Sequence, residues 1–149
     1  MPTISAAGPT DRREWERLWA ENCAHFKAGG MTGAVVDGLW QRILDPASPM
    51  QAWLAVRDNR AIGLAHTILH PHTFSFAVVC LLEDLWVTPK AQGQGVATKI
   101  LAHLEAVGRQ QGWRRLCWET DVDNMPARRL YDRIATRRPT VTYRIELNG

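Results

Sequence analysis

Apolar residues recur along this 149-residue chain with two alternating periods, and the places where the period changes mark its elements. Thr3 to Ala7 reads as a short first strand, closed by Gly8-Pro9. Thr10-Asp11 then caps a helix to about Phe26, with Trp15, Leu18, Trp19 and Asn22 on one face, and Ala28-Gly29-Gly30 breaks it. Val35 to Leu44 is a second helix, bounded by Asp45-Pro46. Gln51 to Arg57 and Ala61 to His70 are two strands around Asp58-Asn59-Arg60, a hairpin signal. The apolar run Phe76 to Val87 suits a buried strand. Val96, Ile100, Leu101, Leu104 and Val107 then fall at helical spacing up to about Gln111. Arg114 to Thr120 is another strand. Asp123 or Asn124 caps a helix with Pro126 in its first turn and Ala127, Leu130, Tyr131 and Ile134 as its buried stripe. In Thr140 to Leu147 apolar Val141, Tyr143, Ile145 and Leu147 alternate with polar neighbours, a one-sided strand. The resulting α/β order contains no internal repeat.

The switch from period 2 to 3.6 falls across Pro89 to Gly95, and there the candidate chemistry begins. A loop of small residues opening a helix is an anion cradle. Gly93 and Gly95 let the backbone approach a ligand, and the helix dipole adds roughly half a positive charge at that end. The loop lacks the Gly-Lys-Ser/Thr of a P-loop, and Gln92-Gly93-Gln94-Gly95-Val96-Ala97 does not give the Gly-x-Gly-x-x-Gly dinucleotide spacing.

Gln92, Gly95 and Ala97 form Gln-x-x-Gly-x-Ala, which resembles the acetyl-CoA pyrophosphate loop of the GNAT family of N-acetyltransferases. Three further features carry the resemblance: Val87-Thr88-Pro89 before the loop, Asn124 seven residues ahead of Tyr131 on a later helix, and Leu82-Glu83-Asp84-Leu85-Trp86-Val87, similar to the spermidine/spermine acetyltransferase branch. It covers residues 76 to 147 well and the first half in outline. Ala135-Thr136 departs from it, since the family usually has Gly and an aromatic there.

The resemblance implies the acyl-CoA N-acyltransferase fold: a central mixed, largely antiparallel sheet, splayed between its fourth and fifth strands and flanked by helices. It implies acetyl-CoA as co-substrate. Backbone groups of Leu85, Trp86 and Val87 would pair with the pantetheine arm, and N–H groups from Gln92, Gly93, Gln94, Gly95, Val96 and Ala97 would hold the pyrophosphate. Asn124 would bond the pantetheine region. Tyr131 would serve as acid or thiolate stabiliser, although its spacing also suits a core stripe. Homodimers are common in the family, so a homodimer is expected.

The acceptor is then a primary amine: a polyamine, an amino acid or other small amine, or a protein amine. An alkyl ammonium near pKa 10.4 and a Glu near 4.3 differ by about six units, so direct proton transfer is uphill by about 8 kcal/mol. The base must be raised by burial, work through water, or meet an amine whose own pKa is depressed. Glu83 matches the family's base; with Asp84 it is also a candidate substrate-binding carboxylate, and both read equally well as a strand end at the surface. Asp37, Glu119 and Asp121 are further acidic candidates for an acceptor pocket.

Composition narrows the picture further. Apolar content of 46% and seven tryptophans suit one N-acetyltransferase domain over 1–149. No leader or membrane-length apolar run is present, which predicts a soluble, cytoplasmic protein with no membrane partner. Cys23, Cys80 and Cys117 form no Cys-x-x-Cys pair and read as reduced core thiols. Residues 1–74 hold seven Lys/Arg and seven Asp/Glu; residues 75–149 hold eleven and eight, so the net +3 lies in the half with the anion loop. Lys90, Lys99, Arg128 and Arg129 are the candidate contributors. A basic stripe interleaved with aromatics is missing, so no nucleic-acid partner is expected. His70-Pro71-His72 reads as a turn, and no metal is expected. The reading of another class is a non-catalytic, CoA-binding regulatory module.

Overall fold

A computed structural model describes residues 1–148. They fall into two units, one ending at Trp118 and the other beginning at Glu119. The first unit is a five-stranded sheet in chain order: β1 (Thr3–Ala6), β2 (Met50–Arg57), β3 (Arg60–Pro71), β4 (Val78–Val87) and β5 (Arg115–Cys117). The first four strands pair antiparallel and β5 joins β4 in parallel, giving the mixed, largely antiparallel sheet expected.

The β2–β3 hairpin turns on Asp58 and Asn59, both with positive φ (53° and 60°), the pair of left-handed residues that a tight two-residue turn demands. Leu54, Leu64 and Trp86 face two helices, α1 (Arg12–His25) and α2 (Gly33–Leu44), and form one core with Trp15, Leu18, Trp40 and Ile43. Thr32 caps α2 by accepting from the Val35 N–H at 3.3 Å. On the opposite face lies α3 (Val96–Gln111), which buries Val96, Ile100, Leu101 and Leu104. Its seat is Gly63: a Cβ there would stand 2.9 Å from Ile100 Cδ1 and 3.0 Å from Val96 Cγ1. At its far end Gly112 takes the left-handed conformation (φ 76°), and Trp113 folds back over Gly108.

In the second unit Asn124 caps α4 (Met125–Ile134), its Oδ1 accepting from the Ala127 N–H at 3.4 Å.

Four expectations change. β4 starts at Val78, not Phe76, because Thr73 to Ala77 make the turn: Ser75 Oγ accepts from Ala77 N–H, and Phe74 and Phe76 are exposed. The strand expected over Arg114 to Thr120 is only Arg115–Cys117, the length over which it finds β4. The stripe Ala127, Leu130, Tyr131 and Ile134 is half-buried at best, and Ile134 is exposed. The strand expected over Thr140 to Leu147 is absent. Its alternation is real, but a strand needs a ladder, and no described residue pairs with this one. Val141, Tyr143, Ile145 and Leu147 are exposed along it.

Two predictions follow from this packing. Gly63→Ala overpacks the α3–β3 contact and should lower unfolding free energy by about 1–3 kcal/mol in urea titration, with the fold retained. Glu14 accepts from Arg17 and from the Ala61 N–H at 2.9 Å, and the Arg17 hydrogen bond holds its carboxyl below the usual value. Its contribution is therefore present above about 4.5 and lost as pH falls through the depressed value. The stability gap between the parent and Glu14→Gln should shrink over that acid range.

Candidate active site

The loop between β4 and α3 opens with a 3-10 turn, Pro89–Ala91, and passes through Gly93 (φ 77°) and Gly95 (φ 80°). A β-carbon built at either glycine meets nothing within 4 Å, so the cradle is open. The N–H groups of Gly93, Gln94 and Gly95 make no backbone hydrogen bond among the described residues, and the first-turn N–H groups of Val96 and Ala97 have no acceptor within a helix. Side chains brace the loop from outside. Gln92 Nε2 donates to Val87 O at 3.0 Å, Gln94 Nε2 to Lys90 O at 3.1 Å, and Arg57 Nη1 to Gln94 Oε1 at 2.8 Å. The result is a run of unpaired backbone donors at the positive end of a 16-residue helix, suited to a diphosphate.

Beside it the sheet opens. β4 and β5 pair only from Val79↔Arg115 to Leu81↔Cys117, and β4 then continues alone on that side to Val87. The Thr88 N–H bonds to Ile62 O at 2.9 Å, so by two-residue alternation Trp86 also turns its backbone groups to β3. Leu85 and Val87 turn theirs to the open edge, where Val87 O already accepts from Gln92 and the Leu85 groups are left to an extended ligand arm. Trp86 is instead tied down by its side chain, its Nε1 donating to Glu21 at 2.9 Å.

Where the strands part, β4 carries a bulge. His66 faces Asp84 while Thr67 faces Leu82, so Glu83 has no partner on β3. Glu83 is exposed; Asp84 is half-buried and lies 3.0 Å from His66 Nδ1. The sequence favours Glu83 over Asp84 as base without showing which faces the cleft; the bulge gives the two carboxylates different surroundings. The acidic candidates in the first unit do not converge, because Asp37 pairs at 2.6 Å with Arg12 on an exposed surface. In the second unit Glu119 accepts from Thr142 Oγ1 at 3.0 Å, and Asp121 is exposed. There too, Tyr131 is half-buried on α4 and burial pushes its phenol up. Ala135 ends that helix in extended conformation, where the usual glycine is missing.

Three residues escaped sequence reading: His66, Trp15 and Glu21. His66 is 2% exposed, and its signal was a single ionisable group inside the apolar run Ala61 to Leu69. Cys23 and Cys80 are poor nucleophiles. Burial pushes Cys80 up to about 12, and Cys23 is raised by burial and then by the Asp84 charge. His72 binds Ser75 Oγ at 2.9 Å within its turn, and the described residues hold no metal-competent cluster of three. Among them, too, no helix is long and apolar enough to cross a membrane. In the native protein a chromogenic disulfide reagent at pH 8 should leave Cys80 unmodified until denaturant is added.

Residues 13–135 match the acetyltransferase (GNAT) family. The D-amino-acid N-acetyltransferase HPA3 of Saccharomyces cerevisiae is 29% identical over 143 residues, spanning 95% of this chain and 88% of the relative. An aminoglycoside N(6')-acetyltransferase type 1 of Stenotrophomonas maltophilia is 27% identical over 140 residues, spanning 85% and 80%. The structure of AAC(6')-Iy in complex with the bisubstrate analogue CoA-S-monomethyl-acetylneamine superposes with a TM-score of 0.81 at 20% identity, covering 99% of each chain. With an open glycine loop at the head of α3, a parted β4 edge and a family match over most of its length, the chain belongs to the GNAT family and is an acetyl-CoA-dependent N-acetyltransferase.

Proposed function

We propose that one domain, residues 1–149, transfers the acetyl group of acetyl-CoA to the primary amine of a small cationic acceptor by direct attack on the thioester. The observation that carries this reading is the loop of left-handed glycines beside a β4 edge that has lost its neighbour. Gln92 to Ala97 receive the pyrophosphate, Leu85 and Val87 the pantetheine arm, and Asn124 assists that arm beyond its capping role. Trp86 shares in this contact through its position between them. The relatives' printed activities, on D-amino acids and aminoglycosides, favour a small polar amine. The run Leu82 to Val87 keeps polyamines among the acceptors, and protein amines complete the class.

Glu83 is the general base in this scheme. Its exposure at the bulge suits a proton passed through water better than a direct transfer against a six-unit gradient. Tyr131 stabilises the departing thiolate. Because burial raises its phenol above an already high value, it gives the sulfur a hydrogen bond and keeps its proton. The thiols' raised values speak against a covalent acetyl-cysteine at Cys23 or Cys80.

We also read the protein as a cytoplasmic homodimer. Its support is the C-terminal segment, whose apolar alternation over Val141 to Leu147 is exposed and is suited to a ladder with a second chain. Light scattering of the full chain should return twice the 16.8 kDa mass, and deletion of 140–149 should return the monomer.

The decisive assay follows thiol release from acetyl-CoA against a panel of D-amino acids, aminoglycosides, polyamines and a lysine peptide. Turnover is expected with at least one small amine. Tyr131→Phe should lower kcat about 100-fold, as for loss of one charge-stabilising donor. Glu83→Gln should lower it by about 100-fold and remove the acid limb of the pH profile. Gly95→Val, a branched residue at φ 80°, should weaken coenzyme A binding at least tenfold by calorimetry. Coenzyme A binding without turnover on any amine would make the protein a regulatory CoA-binding module instead.

A further inference from the structure

His66 is a buried imidazole with both nitrogens engaged, and its two partners differ in kind. Trp15 Nε1 lies 2.9 Å from its Nε2, and Asp84 Oδ2 lies 3.0 Å from its Nδ1. An indole N–H only donates, so Nε2 must be the acceptor. A carboxylate only accepts, so the imidazole proton sits on Nδ1 and points at Asp84. A second proton on Nε2 would face the Trp15 N–H at 2.9 Å, donor against donor. Trp15 is fully buried, wedged between Trp40 at 4.8 Å and the His66 ring, so it does not swing aside. Trp19 closes the other side of the ring, edge-on at 4.7 Å. The contact between His66 and Asp84 is therefore a hydrogen bond from a neutral imidazole, and the carboxylate keeps its whole charge.

Asp84 is the residue at which this matters. It follows the bulge at Glu83, on the stretch of β4 that has left β5, and its side chain is 27% exposed while that of His66 is 3%. One carboxylate oxygen is pinned from below; the other, Oδ1, has no partner among the described residues. Around it stand His66 on β3 and Glu83 on β4. α1 above it carries Arg17 and His25 as well as Cys23 and Glu21, but Arg17 is engaged by Glu14 and Glu21, and among the described residues no Lys or Arg forms an ion pair with Asp84.

We propose that Trp15 and His66 form a buried relay that holds Asp84 as a fixed, uncompensated carboxylate, and that Asp84 is the anchor for the acceptor's ammonium group. His66 and Trp15 are positioning residues, since they act through Asp84 and do not touch the acceptor. The substrate class that follows is an amine bearing a positive charge besides the one it gives up, such as a diamine, a polyamine or an aminoglycoside. This rests on the acetyltransferase reading for the role of the site, though not for the relay itself.

The test therefore has one arm that needs no turnover. In the full chain carrying 15N-histidine at pH 7, His66 should show a protonated Nδ1 and a bare Nε2. Its resonances should move on titration with 1,4-diaminobutane, and stay in place with the neutral 1,4-butanediol. Asp84→Asn should abolish that response and leave coenzyme A affinity unchanged. In steady state, Asp84→Asn and His66→Phe should each raise the diamine KM at least tenfold with the acetyl-CoA KM unaltered. His66→Asn, whose amide N–H stands where Nδ1–H stood, should recover most of the loss. An imidazolium or an Nε2–H tautomer would overturn the proposal. So would equal responses to the diamine and the diol, or an acceptor KM within twofold of the parent in Asp84→Asn. Should His66→Phe fail to fold, the wild-type spectra and the half-exposed Asp84→Asn still decide. A diamine response without acetyl transfer would sink the proposed activity and leave the anchor standing.

Discussion

The absence of a side chain at Gly63 is the constraint on which this molecule is built. With Val96 and Ile100 closer to that position than a methyl group tolerates, α3 lies directly on the β3 backbone, and its N-terminus is held at one height above the sheet. That height fixes where the Gly93–Gly95 loop begins, and so where its free N–H groups point. It also keeps the loop next to the β4 edge, which Thr88 ties to Ile62. A loop whose donors are all backbone has no side chain to adjust, so their placement is inherited from the packing underneath.

The other face of the sheet carries the opposite kind of constraint. There a polar series runs from buried Trp15 through buried His66 to half-exposed Asp84 at the margin of the apolar core. A buried imidazole without partners costs several kcal/mol, whereas one with a donor on one side and an acceptor on the other rigidifies its surroundings. The two faces meet at the point where β5 ends. One presents unpaired backbone donors and the other a carboxylate, and the proposed transfer assigns the first to the cofactor and the second to the acceptor.

What the chain disclosed in advance follows from how local each signal is. The hairpin at Asp58-Asn59, the Asn124 cap of α4 and the period switch at Gly93–Gly95 are written within a dozen residues each, and they appear where the pattern put them. The Gln92–Ala97 spacing with Asn124 and Tyr131 was enough to reach the family. Features made by pairing were not legible. The bulge at Glu83 exists only as a mismatch between β3 and β4, and the contrast between exposed Glu83 and half-buried, His66-bonded Asp84 goes with it. His66 looked like one more residue of an apolar run, because its partners lie 51 and 18 positions away. The segment from Thr140 shows the converse failure: alternation states which face is apolar without supplying a neighbour to cover it.

The bulge has a consequence for how such a protein can diversify. Because Glu83 stands opposite no residue of β3, exchanging it removes no cross-strand pair and leaves the ladder on either side in phase. A chain that varies this position changes an exposed side chain beside the parted strands at almost no cost to folding, while its neighbour Asp84, bonded to the imidazole, is denied the same freedom.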